Sequence, residues 1–321
     1  MDKIIFVNGK FITQRITGVQ RFSYEAVKAL ARTAGVKTVV LIPRKAVIPR
    51  ELNVPGIEFR RAGKLNGNLW EQISLPRYLK KHGKGILLNI GGIPVFYKNN
   101  YIVLHDVSFK ERLPYINKKW AFQRRALLRI PVYRAKKIFT VSDFSAERIV
   151  KCYPRLKVKP VRVYPGAEHI YALKEKVVEG LPEEFYFSSS SVHPNKNFQY
   201  VLALARNNPD KYFVESGKKR FDFDDYIKEN NIKNCLFTGY VSEENLMWLY
   251  SHCKAFILPS LYEGFGITPL EALKAGCKKL YLSDIPVFRE VYGEVAEFFD
   301  PRDYVCTVHL GSESETGGVP M

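Results

Sequence analysis

Short uninterrupted apolar runs alternate with longer stretches of helical period along most of the chain. The runs at 3–7 (KIIFV), 38–42 (TVVLI), 85–88 (GILL), 101–104 (YIVL) and 137–141 (KIFTV) are too short for helices. A continuous apolar run of this length is the mark of a strand buried on both faces of a sheet. After a break at 163–167 (VYPGA) the pattern resumes with 184–187 (EFYF), 212–214 (YFV), 235–237 (CLF), 255–258 (AFIL) and 279–282 (KLYL). Strands alternating with helices predict parallel sheets covered on both faces. The expected organisation is two α/β domains of doubly wound type, 1–165 and 166–301, followed by an atypical tail, 302–321.

The most informative segment follows the run at 255–258. Residues 263–271 read EGFGITPLE, two carboxylates with seven residues between them around a glycine turn. The order is strand, turn, helix. Gly264 and Gly266 permit close approach of backbone to a ligand, and Pro269 suits the first turn of a helix. The amides of Phe265, Gly266 and Ile267 and the positive end of the helix dipole form a phosphate site. Glu263 and Glu271 would repel a phosphate and suit neutral hydroxyls instead. Hydroxyls beside a diphosphate point to a nucleotide sugar, whereas the bland alternative is a capped helix with two solvated glutamates.

The full string at 259–276 (PSLYEGFGITPLEALKAG) resembles the signature of the retaining glycosyltransferases of family 4. That resemblance implies a GT-B fold, in which two Rossmann-like domains face a cleft, with the donor on the C-terminal domain and the acceptor on the N-terminal one. It implies that Glu271 holds ribose hydroxyls, that Glu263 holds sugar hydroxyls, and that catalysis needs no metal or cofactor. The loop at 17–22 (TGVQRF), after a strand ending in Asn-Gly, resembles a mannosyltransferase-like branch of the family. There Gly18 would bring backbone amides to the diphosphate, with Arg21 on the first turn of the following helix.

Three more loops carry candidate chemistry. His105 and Asp106 end the apolar run at 101–104, where ligands of parallel sheets gather. The resemblance implies that His105 touches the transferred sugar and that Asp106 orients the imidazole; the alternative is a buried, hydrogen-bonded histidine. Lys196, in the segment 188–197 (SSSSVHPNKN), would neutralise the leaving diphosphate, and Ser191 stands where many relatives carry an arginine. The resemblance implies that the turn at 238–241 (TGYV) frames the nucleobase around Tyr240; the alternative is an ordinary glycine-containing turn.

Charge adds one element. The formal net charge is +18, and residues 118–137 hold eight Lys or Arg with no acid: Lys118, Lys119, Arg124, Arg125, Arg129, Arg134, Lys136 and Lys137. Trp120 and Phe122 lie among them. Basic and aromatic residues at helical spacing suit an anionic membrane surface, or a solvated helix that packs Trp120, Phe122, Leu127, Leu128 and Val132 into its domain. Nucleic acid is set aside because the chain carries no nucleic-acid motif. The five cysteines are scattered, with no paired spacing, which fits reduced thiols in the cytoplasm and no structural zinc. No apolar stretch approaches the ~20 residues of a membrane span.

A nicotinamide-dependent enzyme is a rival class that would also be doubly wound, but no Gly-x-Gly-x-x-Gly with a following acidic residue appears after the first strand. The expected function is transfer of a hexose or deoxyhexose, mannose favoured, from a nucleotide sugar such as GDP-mannose to a glycan or lipid-linked saccharide. The setting is surface polysaccharide synthesis at the inner face of the membrane. The rival is a catalytically impaired GT-B protein serving as a membrane-surface or complex partner. The tail after 301 is polar and glycine-rich, and reads as disordered or truncated where relatives carry a bracing helix.

Overall fold

A computed structural model describes residues 3–83, 85–92, 97–189, 193–217, 222–305 and 310. The chain divides into two compact units, Met1–Gly166 and Ala167–Met321.

The first unit is built on seven parallel strands: β1 (Lys3–Asn8), β2 (Val36–Ile42), β3 (Ile57–Arg61), β4 (Ile86–Asn89), β5 (Asn100–Val103), β6 (Lys137–Thr140) and β7 (Val161–Arg162). Their order is β3-β2-β1-β4-β5-β6-β7. Helices α1 (Gly18–Ala31), α2 (Gly67–Leu69), α3 (Leu75–His82), α4 (Lys118–Arg134) and α5 (Asp143–Cys152) connect them. Between α2 and α3 the chain makes a π-helical turn, Trp70–Ser74. One core cluster joins Phe6, Val39, Leu41, Trp70, Leu75 and Leu87, and another joins Ile102, Leu128, Val132, Ile138 and Ile149. Phe6, Val39, Leu41, Leu87, Ile102 and Ile138 come from the apolar runs, and the others from the helical elements packed on them.

The second unit has six parallel strands, β8 (Tyr186–Ser189), β9 (Phe213–Ser216), β10 (Cys235–Gly239), β11 (Ala255–Leu258), β12 (Leu280–Ser283) and β13 (Ala296–Phe299), ordered β10-β9-β8-β11-β12-β13. Helices α6 (Phe198–Asn207), α7 (Asp222–Glu229), α8 (Glu243–His252), α9 (Ile267–Lys274) and α10 (Pro286–Tyr292) accompany them. Helix starts follow local chemistry. Ser142 caps α5 by accepting from the Ser145 amide, and Ser242 caps α8 by accepting from that of Asn245, with Glu243 and Glu244 in its first turn.

Each sheet has a point where strand order reverses, between β1 and β4 and between β8 and β11. In such sheets, ligands bind outside the carboxyl ends of the strands at this point. The segments after β1, β8 and β11 are the ones that carry Gly18, Lys196 and the Glu263–Glu271 string.

Three edge strands lie outside the apolar runs: β3, β7 and β13, the last carrying Glu297 paired to Lys279. β3 carries Glu58, Arg60 and Arg61, with Glu58 paired to Lys37 and Arg60, and β7 is two exposed residues. The tail expectation is corrected in part. Tyr304 donates to Asn197 Oδ1 at 2.8 Å, Asn207 donates to the Val305 carbonyl at 2.8 Å, and Leu310 is buried in the core of the second unit. Its described residues therefore belong to that unit; 306–309 and 311–321 lie outside the described residues.

Candidate functional site

In the second unit, β11 delivers Ser260 and then the turn. Ser260 is fully buried, and its hydroxyl donates to Glu263 Oε1 at 2.7 Å. Lys196, at the end of the 3-10 turn Pro194–Lys196, reaches the same oxygen at 2.5 Å. The two loops are zipped further by Leu261 N donating to the Asn195 carbonyl and Asn195 Nδ2 to that of Tyr262. Thus Lys196 and Glu263, 67 residues apart, form an ion pair across the strand-order reversal, both side chains mostly buried. Ser191 lies outside the described residues.

Gly266 caps α9 at φ 81°, in the left-handed region, and a Cβ there would sit 2.4 Å from Phe288 Cε1. Conformation and space both demand glycine. The Tyr292 hydroxyl donates to the Gly266 carbonyl at 2.5 Å, and Phe265 packs near Tyr292, which fixes the turn that opens α9 at Ile267. Glu271, on α9, is 8% exposed, and its Oε1 lies 3.3 Å from His169 Nε2. Gly239 ends β10 at φ 69°, and Tyr240 beyond it is 57% exposed. β10 is an edge strand, so the turn expected to frame the nucleobase stands at the rim of the sheet.

In the first unit the reversal holds a buried polar network. Asn8 Nδ2 donates to Glu71 Oε1 at 2.8 Å and to Asn89 Oδ1 at 2.9 Å, while Lys10 Nζ meets Glu71 Oε2 at 2.7 Å and Asn68 Oδ1 at 2.5 Å. Glu71 is fully enclosed, and burial pushes its carboxyl above the ordinary range against the pull of Lys10 and Asn8. Sequence reading missed this pair because its members stand 61 residues apart with no local pattern.

His105 follows β5 and packs edge-on to Phe22 of α1, ring centres 5.0 Å apart. Its Nε2 is enclosed without a hydrogen-bond partner among the described residues. Burial, helped by the Arg124 charge, pushes the imidazole down to about 4, so the ring is neutral at physiological pH.

Three expectations need correction here. Asp106 does not orient His105: its Oδ1 accepts the Ser108 amide at 2.8 Å, capping a short turn, and no hydrogen bond joins it to the ring among the described residues. Arg21 is 2% exposed and turned to Glu51, 2.6 Å away, so it is not presented to a phosphate, although Gly18 stays exposed at the start of α1. Arg124 points inward. Burial lowers its pKa, the Asp106 and Glu71 charges oppose that shift, and its guanidinium lies over Trp120.

The rest of α4 is two-sided. Ala121, Leu128 and Val132 are buried, whereas Phe122 (71%) and Ile130 (57%) face solvent with Trp120 and Leu127, among Lys118, Lys119 and Arg129. Arg125 is tied to the Phe109 carbonyl at 2.7 Å. Lys136 and Lys137 lie beyond the helix, Lys137 opening β6. Of the aromatic and aliphatic residues expected to pack inward, only Leu128 and Val132 do so. No helix among the described residues is long and apolar enough to cross a membrane.

Residues 172–302 match the family model Glycosyl transferases group 1. The chain is similar to the serotype-specific mannosyltransferase WbdA of Escherichia coli, at 29% identity over 223 residues, 66% of this chain and 26% of that protein. The chain thus spans about a quarter of WbdA. It is also similar to the O-antigen chain mannosyltransferase B of Escherichia coli, 25% identical over 345 residues, covering 94% of this chain and 87% of that one. Among solved structures, sucrose-phosphate synthase (tll1590) from Thermosynechococcus elongatus matches with a TM-score of 0.71 at 15% identity, covering 95% of this chain and 87% of that one. At that identity the likeness shows fold alone, and the fold is GT-B, two Rossmann-like α/β domains. The family match and the mannosyltransferase relatives support a glycosyltransferase.

Proposed function

We propose that the protein is a retaining glycosyltransferase of the family 4 kind. It would move a hexose or deoxyhexose, mannose favoured, from a nucleotide sugar such as GDP-mannose to a glycan or lipid-linked saccharide in surface polysaccharide synthesis. The observation that carries this reading is the Lys196–Glu263 ion pair, set beside the glycine turn and followed on α9 by Glu271.

The pair gives the site a resting state. A diphosphate offers Lys196 more negative charge than one carboxylate does, so donor binding would draw the ammonium onto phosphate oxygens. Glu263, held by Ser260, is then free to accept from the hydroxyls of the sugar. The amides of Phe265 to Ile267 and the α9 dipole take the remaining phosphate charge, so the leaving group is stabilised without a metal. Glu271 accepts from the ribose hydroxyls. His105, held neutral, offers the sugar a hydrogen-bonding nitrogen and no cation.

A thermal-shift panel tests this. The preferred nucleotide sugar among the GDP, UDP, dTDP and ADP sugars should raise the midpoint in the presence of EDTA, since a ligand bound only by the folded state stabilises it. A shift that appears only with added magnesium or manganese contradicts the metal-free site.

The outward face of α4 is proposed to rest on anionic lipid at the inner face of the cell membrane, bringing the enzyme to a lipid-linked acceptor. Each surface Lys or Arg adds about 1 kcal/mol near such a membrane. Lys119→Glu with Arg129→Glu should release the protein from phosphatidylglycerol vesicles in co-sedimentation while leaving donor binding intact. Arg124 is unsuited to this test because it points inward. Equal sedimentation of wild type and double variant would remove the lipid contact.

A further inference from the structure

We propose that His169 is a positioning residue for Glu271, fixing the carboxylate so that one oxygen is presented to the ribose of the donor. This rests on the assignment of Glu271 to the ribose made above. His169 lies in the 3-10 turn Glu168–Ala172, well before the strand, turn and helix that carry Glu271, and the two side chains are 7% and 11% exposed.

The ring's two nitrogens have unequal surroundings. Nδ1 is enclosed and has no hydrogen-bond partner among the described residues, whereas Nε2 faces Glu271 Oε1 at 3.3 Å. A proton on Nδ1 would be a buried donor with nothing to meet, at the full cost of desolvation. The tautomer with its proton on Nε2 instead has the carboxylate oxygen of Glu271 3.3 Å away to meet it. Glu271 Oε2 makes no hydrogen bond among the described residues, which leaves it as the acceptor for a hydroxyl.

The terminal torsion of a glutamate is broad and roughly two-fold, so a carboxylate on a helix is not oriented by its backbone. A donor held by a separate turn supplies the orientation. The sequence signal for Glu271 is its place in the 263–271 string; His169, 102 residues earlier, has none.

The test compares GDP and UDP with their 2′,3′-dideoxy counterparts by isothermal titration on the full chain. In wild type the ribonucleotides should bind more tightly, and Glu271→Ala should collapse that ratio. His169→Phe, which keeps the ring volume and removes the donor, should lower the ratio by about 10-fold, the scale of one hydrogen bond to a charged group. Affinity for the dideoxy nucleotides should be unchanged. His169→Gln, which restores an N–H, should recover most of the ratio; a purely space-filling role predicts the reverse order of the two variants.

Collapse in Glu271→Ala with an unchanged ratio in His169→Phe would overturn the positioning role and leave the ribose assignment standing. No discrimination in wild type would overturn both. Nitrogen-15 chemical shifts of the His169 ring in the wild-type protein give a reading independent of variant folding: protonated Nε2 with bare Nδ1 is expected, and the opposite tautomer refutes the proposal.

Discussion

Replacing Lys196 with alanine is expected to lower the transfer rate at saturating donor by about 100-fold or more, the scale of losing one preorganised donor to developing charge. The effect belongs in the rate because charge on the diphosphate rises as the glycosidic bond breaks, and a fixed ammonium is worth more to the transition state than to the bound donor. Lys196→Arg should rescue only part of the loss, since a planar fork does not reproduce a point charge at one oxygen. Removal of Lys196 also leaves Glu263 held by the Ser260 hydroxyl. Unfolding measurements on the variant must therefore accompany the kinetics. An alanine variant that turns over normally once donor saturates would reduce the Lys196–Glu263 pair to a structural contact.

Glu271→Ala should act on binding instead. Each hydrogen bond to a charged group is worth about 1.5–3 kcal/mol, so losing two ribose contacts weakens nucleotide binding by at least ~100-fold. The loss should appear in titration with GDP alone, without any sugar. That separates Glu271 from Glu263, whose truncation should spare the nucleoside diphosphate and penalise the complete donor. Unchanged GDP affinity in Glu271→Ala would remove the ribose assignment.

How much of this was legible in the sequence depends on which physical rule governed each part. Ten of the strands, the two-unit α/β character and the turn at 263–271 were visible because strands covered on both faces give unbroken apolar runs and a left-handed helix cap demands glycine. The edge strands β3, β7 and β13 were not, since the first is charged, the second is two exposed residues and the third is a four-residue strand interrupted by Glu297. Pairings between distant residues were equally hidden. Lys10 with Glu71 and His169 with Glu271 are made by topology, and neither has a spacing that a linear reading detects. The basic helix misled in a different way. Its charges were read as facing an anionic membrane or solvent, but helical period sends Arg124 inward with Leu128 and Val132, and the carboxylates of Asp106 and Glu71 offset its burial. Arg21 was misjudged for the same reason: Glu51, thirty residues away, draws it into the unit.

The central claim is that the loops after β8 and β11 bind the nucleoside diphosphate of the donor. A crystal structure of the protein with GDP in the presence of EDTA tests this most directly. The account predicts diphosphate oxygens within hydrogen-bond distance of Lys196 Nζ and of the amides at Phe265 to Ile267, ribose hydroxyls on Glu271, and the Lys196–Glu263 pair opened. Nucleotide bound elsewhere, or bound with that pair intact and Glu271 untouched, would contradict it.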